Sequence, residues 1–275
     1  MLDDDIANII REVGEAEVVS RFRQLTAGDV VEKTPGDLVT IADRECERVL
    51  SDRLRQIRDL PVVGEEATAA DPTLLDLVGS APAVWVVDPV DGTSNFVAGN
   101  ENYVVMVSLV ERGVTTHAWV WHPATDRMLS TRLGDPTRSN GVPIAPASRE
   151  SRPSGILKRK YVPEPGRSQL GDFPSSIGTV VSAFGSAGIE YGALIDGTID
   201  FLMYWRTLPW DHAPGALLAQ QAGMQVGRID GTEYVPGDGG VGLLAATPDL
   251  WPVVAAEIRE CCSIRVREPG QPTEA

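Results

Sequence analysis

The chain is poor in the residues that several common chemistries require. It has only three cysteines in 275 residues, Cys46, Cys261 and Cys262. An odd count with one adjacent pair makes no disulfide framework, and a reducing cytoplasm is the compartment it favours. There are only three histidines, His117, His122 and His212. The first two are five positions apart, an odd spacing, in one apolar run. They point to opposite faces of a strand and make no zinc pair. No G-x-S-x-G elbow and no Walker A loop occurs, so serine-hydrolase and P-loop chemistry fall away. No apolar run is long enough to span a bilayer, and the acidic start Met1-Leu2-Asp3-Asp4-Asp5 has no signal-peptide pattern. Basic residues are outnumbered, 24 against 39 acidic, for a net charge of −15. Such a surface repels nucleic acid and anionic membranes, and neither is expected as a partner. An anionic small molecule stays compatible, because bound metal ions reverse the local field.

Apolar residues make up 43% of the chain, ample for a large core. Ile6, Ile9, Ile10, Val13, Phe22 and Leu25 form a helical stripe behind Asp3 to Asp5. A polar loop is expected over 32–37, and a second helix from Thr40 to about Arg58 that buries Ala42, Cys46, Val49, Leu50, Leu54 and Ile57. Strands are expected over 61–64, 84–87, 103–110, 114–122 and 127–131, with Asn140-Gly141 as a type I′ turn. The Pro-, Ser- and charge-rich stretch 149–176 divides the chain into halves, 1–148 and 149–275. Lys158-Arg159-Lys160 within it is the one basic cluster. The second half alternates strand (179–183), helix (186–195), strand (199–204), a helix beginning at Trp210 to Pro214 and stopped by Gly223, strand (243–246) and helix (250–260), with a disordered tail expected over 267–275.

The chain is organised around Trp85-Val86-Val87-Asp88-Pro89-Val90-Asp91-Gly92-Thr93-Ser94-Asn95-Phe96. A buried strand ends here in two carboxylates three residues apart, with a proline between them that turns the chain. Asp88, Asp91 and the Val90 carbonyl then converge in an all-oxygen pocket suited to magnesium. Gly92 admits a close backbone approach, and Thr93 caps a short helical turn whose N–H groups suit phosphate. The same residues also make an ordinary polar turn. Two further acids and one pair carry similar alternatives. Thr40-Ile41-Ala42-Asp43 fits a capping box, which by itself accounts for Asp43. Glu65-Glu66 ends a second short strand, where acids are often only solvated. Asp211 sits ahead of Pro214, where a helix N-cap explains it, although a capping carboxylate keeps one oxygen free for a metal. His212 is expected at the surface or behind the ligands.

Taken together, Gly64-Glu65-Glu66, Asp88-Pro-Val-Asp91-Gly-Thr93 and Trp210-Asp211-His-Ala-Pro-Gly215 resemble the inositol monophosphatase family of magnesium-dependent, lithium-sensitive phosphatases. Lys33-Thr-Pro-Gly-Asp37-Leu-Val-Thr40-Ile-Ala-Asp43 resembles its N-terminal signature. The resemblance implies an α/β fold, the five-layer α/β/α/β/α sandwich of the sugar phosphatases, with the site between the halves, and a cytoplasmic homodimer. It implies Glu65, Asp88, Asp91, Asp211 and the Val90 carbonyl as Mg2+ ligands. Asp43 and Thr93 would orient the attacking water. Asp91, Gly92, Thr93, Ala187, Tyr204 and Asp211 would contact the substrate.

The implied activity is Mg2+-dependent hydrolysis of inositol monophosphate or a similar small sugar or polyol phosphate. Fructose 1,6-bisphosphate, histidinol phosphate and nucleotide 3′-phosphates stay open as alternatives. So does a non-enzymatic metal-binding regulator on the same fold; a calcium loop of the EF-hand kind does not fit the spacing. Two positions depart from the family pattern. Gln220-Gln221-Ala-Gly223-Met224 stands where Glu-Ala-Gly-Gly is usual. Tyr204 stands where inositol-specific members carry a glutamate that contacts ring hydroxyls, which weakens the inositol assignment. Arg206, two residues on, is expected to favour a second negative group on the substrate.

Overall fold

Two β-sheets and three layers of helices stack in the order α/β/α/β/α. The structure is a computed structural model and describes residues 2–266 apart from 27, 36, 145–151, 175 and 241. The expected division at 148/149 and the tail 267–275 lie outside the described residues. The seven-stranded sheet uses strands between Val62 and Pro143, and the five-stranded sheet uses strands between Ser154 and Ala246.

The outer helical layer is Leu2–Glu17 with Ile41–Ile57. Ile6, Ile10 and Val13 of one and Cys46, Leu50 and Leu54 of the other pack on Trp85, Val87, Val105, Val107, Trp119 and Trp121. Burying an aliphatic side chain such as Leu50 or Leu54 contributes about 1.5–3 kcal/mol, so this face is a major source of stability. The apolar stripe outruns its helix: the helix stops at Glu17, and Phe22 and Leu25 reach the same core from the turn and loop beyond it. Ile57, expected inside, is 40% exposed in the last turn. The stretch read as a polar loop over 32–37 is a hairpin, Val30–Thr34 against Asp37–Thr40. Val30–Thr34 has no regular alternation of buried and exposed residues, which hid it from an apolar-pattern reading.

The central strand is Ala83–Asp91, buried along its whole length. It pairs parallel with Val62–Gly64 and antiparallel with Val104–Glu111, which continues through Val114–His122 and Arg127–Arg132. A two-stranded turn closes the sheet edge at Asn140-Gly141, where φ is +47° and +80°, as the type I′ reading requires.

Ala187–Ile195 and Pro209–Gln221 fill the middle layer. Ile195, Leu217 and Leu218 meet Val104, Met106 and Val120 of the first sheet. Tyr191, Leu194 and Ala219 meet Ile156, Leu202 and Ala245 of the second. Alternation along Phe201–Tyr204 then sends Phe201 and Met203 outward, onto Trp251, Val254 and Ile258 of the last helix, Trp251–Cys262. The expected boundary stretch contains a strand of this sheet, Ser154–Lys158, which pairs with Phe201–Tyr204. The strand expected over 179–183 is only Thr179–Val180, at the sheet edge, and Gln225–Arg228 is an unanticipated strand at the other.

Candidate active site

The site forms where the central strand breaks its register. Residues three apart on a regular strand lie on opposite faces, which would separate Asp88 from Asp91. The pairing with Val104–Glu111 shifts between these two residues, where Pro89 has no N–H to give the ladder. The shift restores Asp91 to the side of Asp88. Carboxylate oxygens of Asp88, Asp91 and Asp211 come within 4.8 Å of one another.

Asp211 arrives from the second half of the chain. It is not the N-cap of its helix: the helix begins at Pro209, with Leu208 capping, and Asp211 occupies the first turn. Pro209 takes the first position, where a missing N–H costs nothing, and Pro214 lies inside the helix. Gly92, in a left-handed conformation (φ +94°), is the residue ahead of the short helix Thr93–Val97. A Cβ there would stand 2.8 Å from the Asn102 carbonyl, so only glycine fits. The cap position therefore belongs to Gly92, and Thr93 is the first helical residue.

Asp91 is held from across the interface between the sheets. It accepts hydrogen bonds from the Ser186 hydroxyl (2.6 Å) and from the Ala187 and Gly188 N–H groups (3.1 and 2.7 Å). Ala187, implied at the substrate, therefore also fixes a carboxylate. Asp88 accepts from the Val90 N–H at 3.1 Å and lies beside Asp211. The Val90 carbonyl accepts from the Thr93 hydroxyl at 3.1 Å. Glu65 lies beside the trio but is bound to Lys33 at 3.0 Å, and the same ammonium reaches Glu66 at 2.8 Å. Behind them Glu47 accepts the N–H groups of Glu66 and Ala67, both at 2.8 Å, and anchors the turn that carries Glu65.

These acids resist ionisation. Burial, then the charges of Glu65, Asp91 and Asp211, pushes Asp88 well above the usual carboxylate range. Burial raises Asp91 against the pull of Ser186, Gly188 and Ala187. Asp211 is pushed up to about 7 by burial and by Asp91, and Glu65 to about 8 by burial despite Lys33. Among the described residues no Lys or Arg forms an ion pair with Asp88, Asp91 or Asp211. Three converging carboxylates with no ion-paired Lys or Arg among the described residues fit a hard divalent cation, which favours the charged form of each at once.

Asp43 is buried at the first turn of Ile41–Ile57, and its two oxygens have separate duties. One accepts the Thr40 N–H (2.8 Å) and hydroxyl (2.5 Å), completing the capping box. The other accepts the Thr93 hydroxyl at 3.1 Å. Burial lifts Asp43 to about 6.

A cavity of about 230 Å³ opens beside Asp91 and Asp211, lined also by Ala187, Tyr204, Lys158 and Arg206. Tyr204 offers it a ring, while the hydroxyl donates to Glu190 at 2.5 Å. Glu190 is fully buried and also accepts the Phe184 and Gly185 N–H groups and the Lys158 ammonium (2.8 Å). His212 is buried too, not at the surface, between Tyr204 and Tyr191, and burial holds its pKa down to about 3, so the ring is neutral. Ser186, Glu190, Glu47 and Lys33 were not singled out by the sequence for these contacts. Ser186 ahead of an apolar helix was the one signal available, as a helix cap, and it does cap Ile189.

The profile of the inositol monophosphatase family matches residues 5–263. The chain belongs to this family. An inositol-1-monophosphatase of Bacillus subtilis is 27% identical over 238 residues, covering 85% of this chain and 87% of the relative. A Thermotoga maritima relative named fructose-1,6-bisphosphatase/inositol-1-monophosphatase is 28% identical over 82% of this chain and 84% of its own. The solved Thermotoga maritima IMPase superposes with a TM-score of 0.76 at 24% identity, covering 94% of this chain and 97% of that one, which shows the shared fold. Family membership makes the buried acidic cluster part of a metal-dependent phosphatase architecture.

Proposed function

We propose that the chain is a magnesium-dependent phosphomonoesterase that hydrolyses inositol monophosphate or a similar small sugar or polyol phosphate, working as a cytoplasmic homodimer. The observation that carries this reading is the convergence of Asp88, Asp91 and Asp211, the first two buried and Asp211 partly exposed, without an ion-paired Lys or Arg among the described residues, in a chain of this family. Asp88, Asp91 and Asp211, with Glu65 and the Val90 carbonyl beside them, would hold the cation. When bound, Mg2+ neutralises phosphate charge and steadies the departing alkoxide. Lys33 holds one Glu65 oxygen, and the other would face the cation.

The chain's own residues supply the rest. Ser186 and the first N–H groups of Ala187–Ile195 lock Asp91 in place, so the ligand geometry is set before substrate arrives. The Gly92 and Thr93 N–H groups would hold the phosphate. The Thr93 hydroxyl, held by Asp43, would orient the attacking water. As water adds to phosphorus, its proton passes to Thr93 and the Thr93 proton to Asp43, whose pKa near 6 suits a base at neutral pH. The P–O ester bond then breaks, and the departing alkoxide takes a proton from solvent to leave as the alcohol, while Asp43 returns its proton to solvent. Phosphate monoesters hydrolyse extremely slowly unaided, so this arrangement has a large barrier to lower.

The names of the relatives, inositol-1-monophosphatase and fructose-1,6-bisphosphatase/inositol-1-monophosphatase, support small polyol and sugar phosphates as the substrate class. A phosphate-release screen with magnesium across inositol monophosphate, hexose phosphates, histidinol phosphate and nucleotide 3′-phosphates tests the reading. Turnover of polyol or sugar phosphates is expected. A folded, metal-binding protein that releases phosphate from none of them is a regulator instead.

A further inference from the structure

The basic cluster 158–160 does not act as a unit. Lys158, at the end of its strand, is bound to the buried Glu190. Arg159 turns away, its guanidinium against Gly171. Lys160 instead sits over the Tyr161 ring, with its ammonium 5.3 Å from the centroid. Arg206 reaches the same ring from the strand end beyond Tyr204, with its guanidinium 4.3 Å from the centroid. Neither Lys160 nor Arg206 forms an ion pair with a described carboxylate, and both are exposed. Two free cations flanking one aromatic ring are notable in a chain of net charge −15, in which most arginines have an acidic neighbour within reach.

Their place gives them meaning. Lys160, Tyr161 and Arg206 line the same cavity as Asp91 and Asp211. A second hollow of about 390 Å³ shares Tyr161, Trp205 and Arg206 with it and runs on past Leu208 and Gly237. Space for a substrate therefore extends from the acidic floor, past the cations, into open room. Asp91 and Asp211 line the same cavity, at the proposed metal end, while Glu190 behind Lys158 is fully buried and already neutralised by it, so it does not oppose an anion at the mouth. Tyr161 orients both cations by contact with its face, leaving their N–H groups for a ligand.

The geometry points to a seat for a second anionic group on the substrate, a phosphate or carboxylate, formed by Lys160 and Arg206 around Tyr161. This deepens the phosphatase reading and rests on it. One phosphate would lie at the acidic floor and the second charge at the mouth, so the preferred substrates are doubly anionic sugar or polyol phosphates. Arg206 supplies the planar fork and Lys160 a mobile point charge.

The test compares kcat/KM for a hexose bisphosphate with that for the hexose monophosphate carrying the same reacting phosphate, in wild type, Arg206→Ala, Lys160→Ala, the double variant and Arg206→Lys. The bisphosphate-to-monophosphate ratio is expected to fall about tenfold in Arg206→Ala and further in the double variant, through KM, with partial recovery in Arg206→Lys. Calorimetric binding of the bisphosphate, with calcium replacing magnesium to hold turnover off, is expected to weaken in the same order. An unchanged ratio with full turnover, or equal binding by all variants, overturns the seat and leaves the phosphatase reading standing. A wild type that releases phosphate from neither substrate defeats the phosphatase reading itself, and the calorimetry then decides the seat alone.

Discussion

The Thr93 hydroxyl donates to Asp43 at 3.1 Å across fifty residues of chain, on the carboxylate oxygen that the capping box leaves free. One side chain therefore carries both the helix cap and the contact with Thr93 on which its proposed catalytic role rests. The neighbouring Val90 carbonyl, also 3.1 Å from Thr93, competes for the same single proton. The hydroxyl can thus serve Asp43 or the backbone, but not both at one instant.

Asp43→Asn separates the two duties. An amide oxygen can still accept one of the capping bonds, so folding should survive with a modest loss, but the Thr93 proton has no base to receive it. Turnover is expected to fall roughly a hundredfold or more, the scale of losing one preorganised catalytic contact. Steady-state kinetics on a variant shown folded by its thermal transition checks this. Near-normal kcat would leave Asp43 with its helix-capping role only.

The raised acids link metal, protons and stability. Asp211 moves from 3.8 to about 7 and Glu65 from 4.5 to about 8 in the folded, metal-free chain. The native state then keeps protons that the unfolded state has lost. The stability this lends is fully present below about pH 4 and is lost as pH rises through 7 and 8. Magnesium replaces those protons, so its binding should strengthen over the same window. Urea denaturation in chelator and in magnesium, from about pH 5 to 9, reads both effects. A metal-free protein that gains stability across that range contradicts the account.

Tyr204 gives a third expectation. Its hydroxyl is the donor to one oxygen of the fully buried Glu190, whose other oxygen takes Lys158 and two backbone N–H groups. Tyr204→Phe leaves that oxygen unsatisfied and should cost about 1–3 kcal/mol. Its effect on the choice between substrates should be smaller than that of Arg206→Ala. A stability change below about 0.5 kcal/mol by denaturation would show that the bond contributes little.

The sequence made the site more legible than the fold around it. Asp88-Pro89-Val90-Asp91 announces itself because a proline between two acids at the end of a β-branched run has few other uses. What it could not show is the register shift that turns the two carboxylates to one side. Glu65 and Asp211 were visible as acids at element boundaries. The Lys33 partner of Glu65 was not, since it lies on a hairpin whose exposed strands lack apolar alternation. Glu190 was invisible for a related reason: nothing local distinguishes a buried glutamate on a helix from a solvated one. Only the meeting of Tyr204, Lys158 and the 184–185 backbone defines it. The start of the Asp211 helix was misplaced because Pro209 and Pro214 both look like first-turn prolines, and only packing shows which one is.

Asp88, Asp91 and Asp211 are proposed as a magnesium site serving phosphate ester hydrolysis. Phosphate release from inositol monophosphate, titrated with Mg2+ after chelation and then challenged with excess Ca2+, tests it most directly. The account predicts no turnover in chelator, saturable recovery with Mg2+, loss of that recovery in Asp88→Asn, and inhibition by Ca2+, which is larger and accepts looser coordination. Full activity in chelator would contradict it.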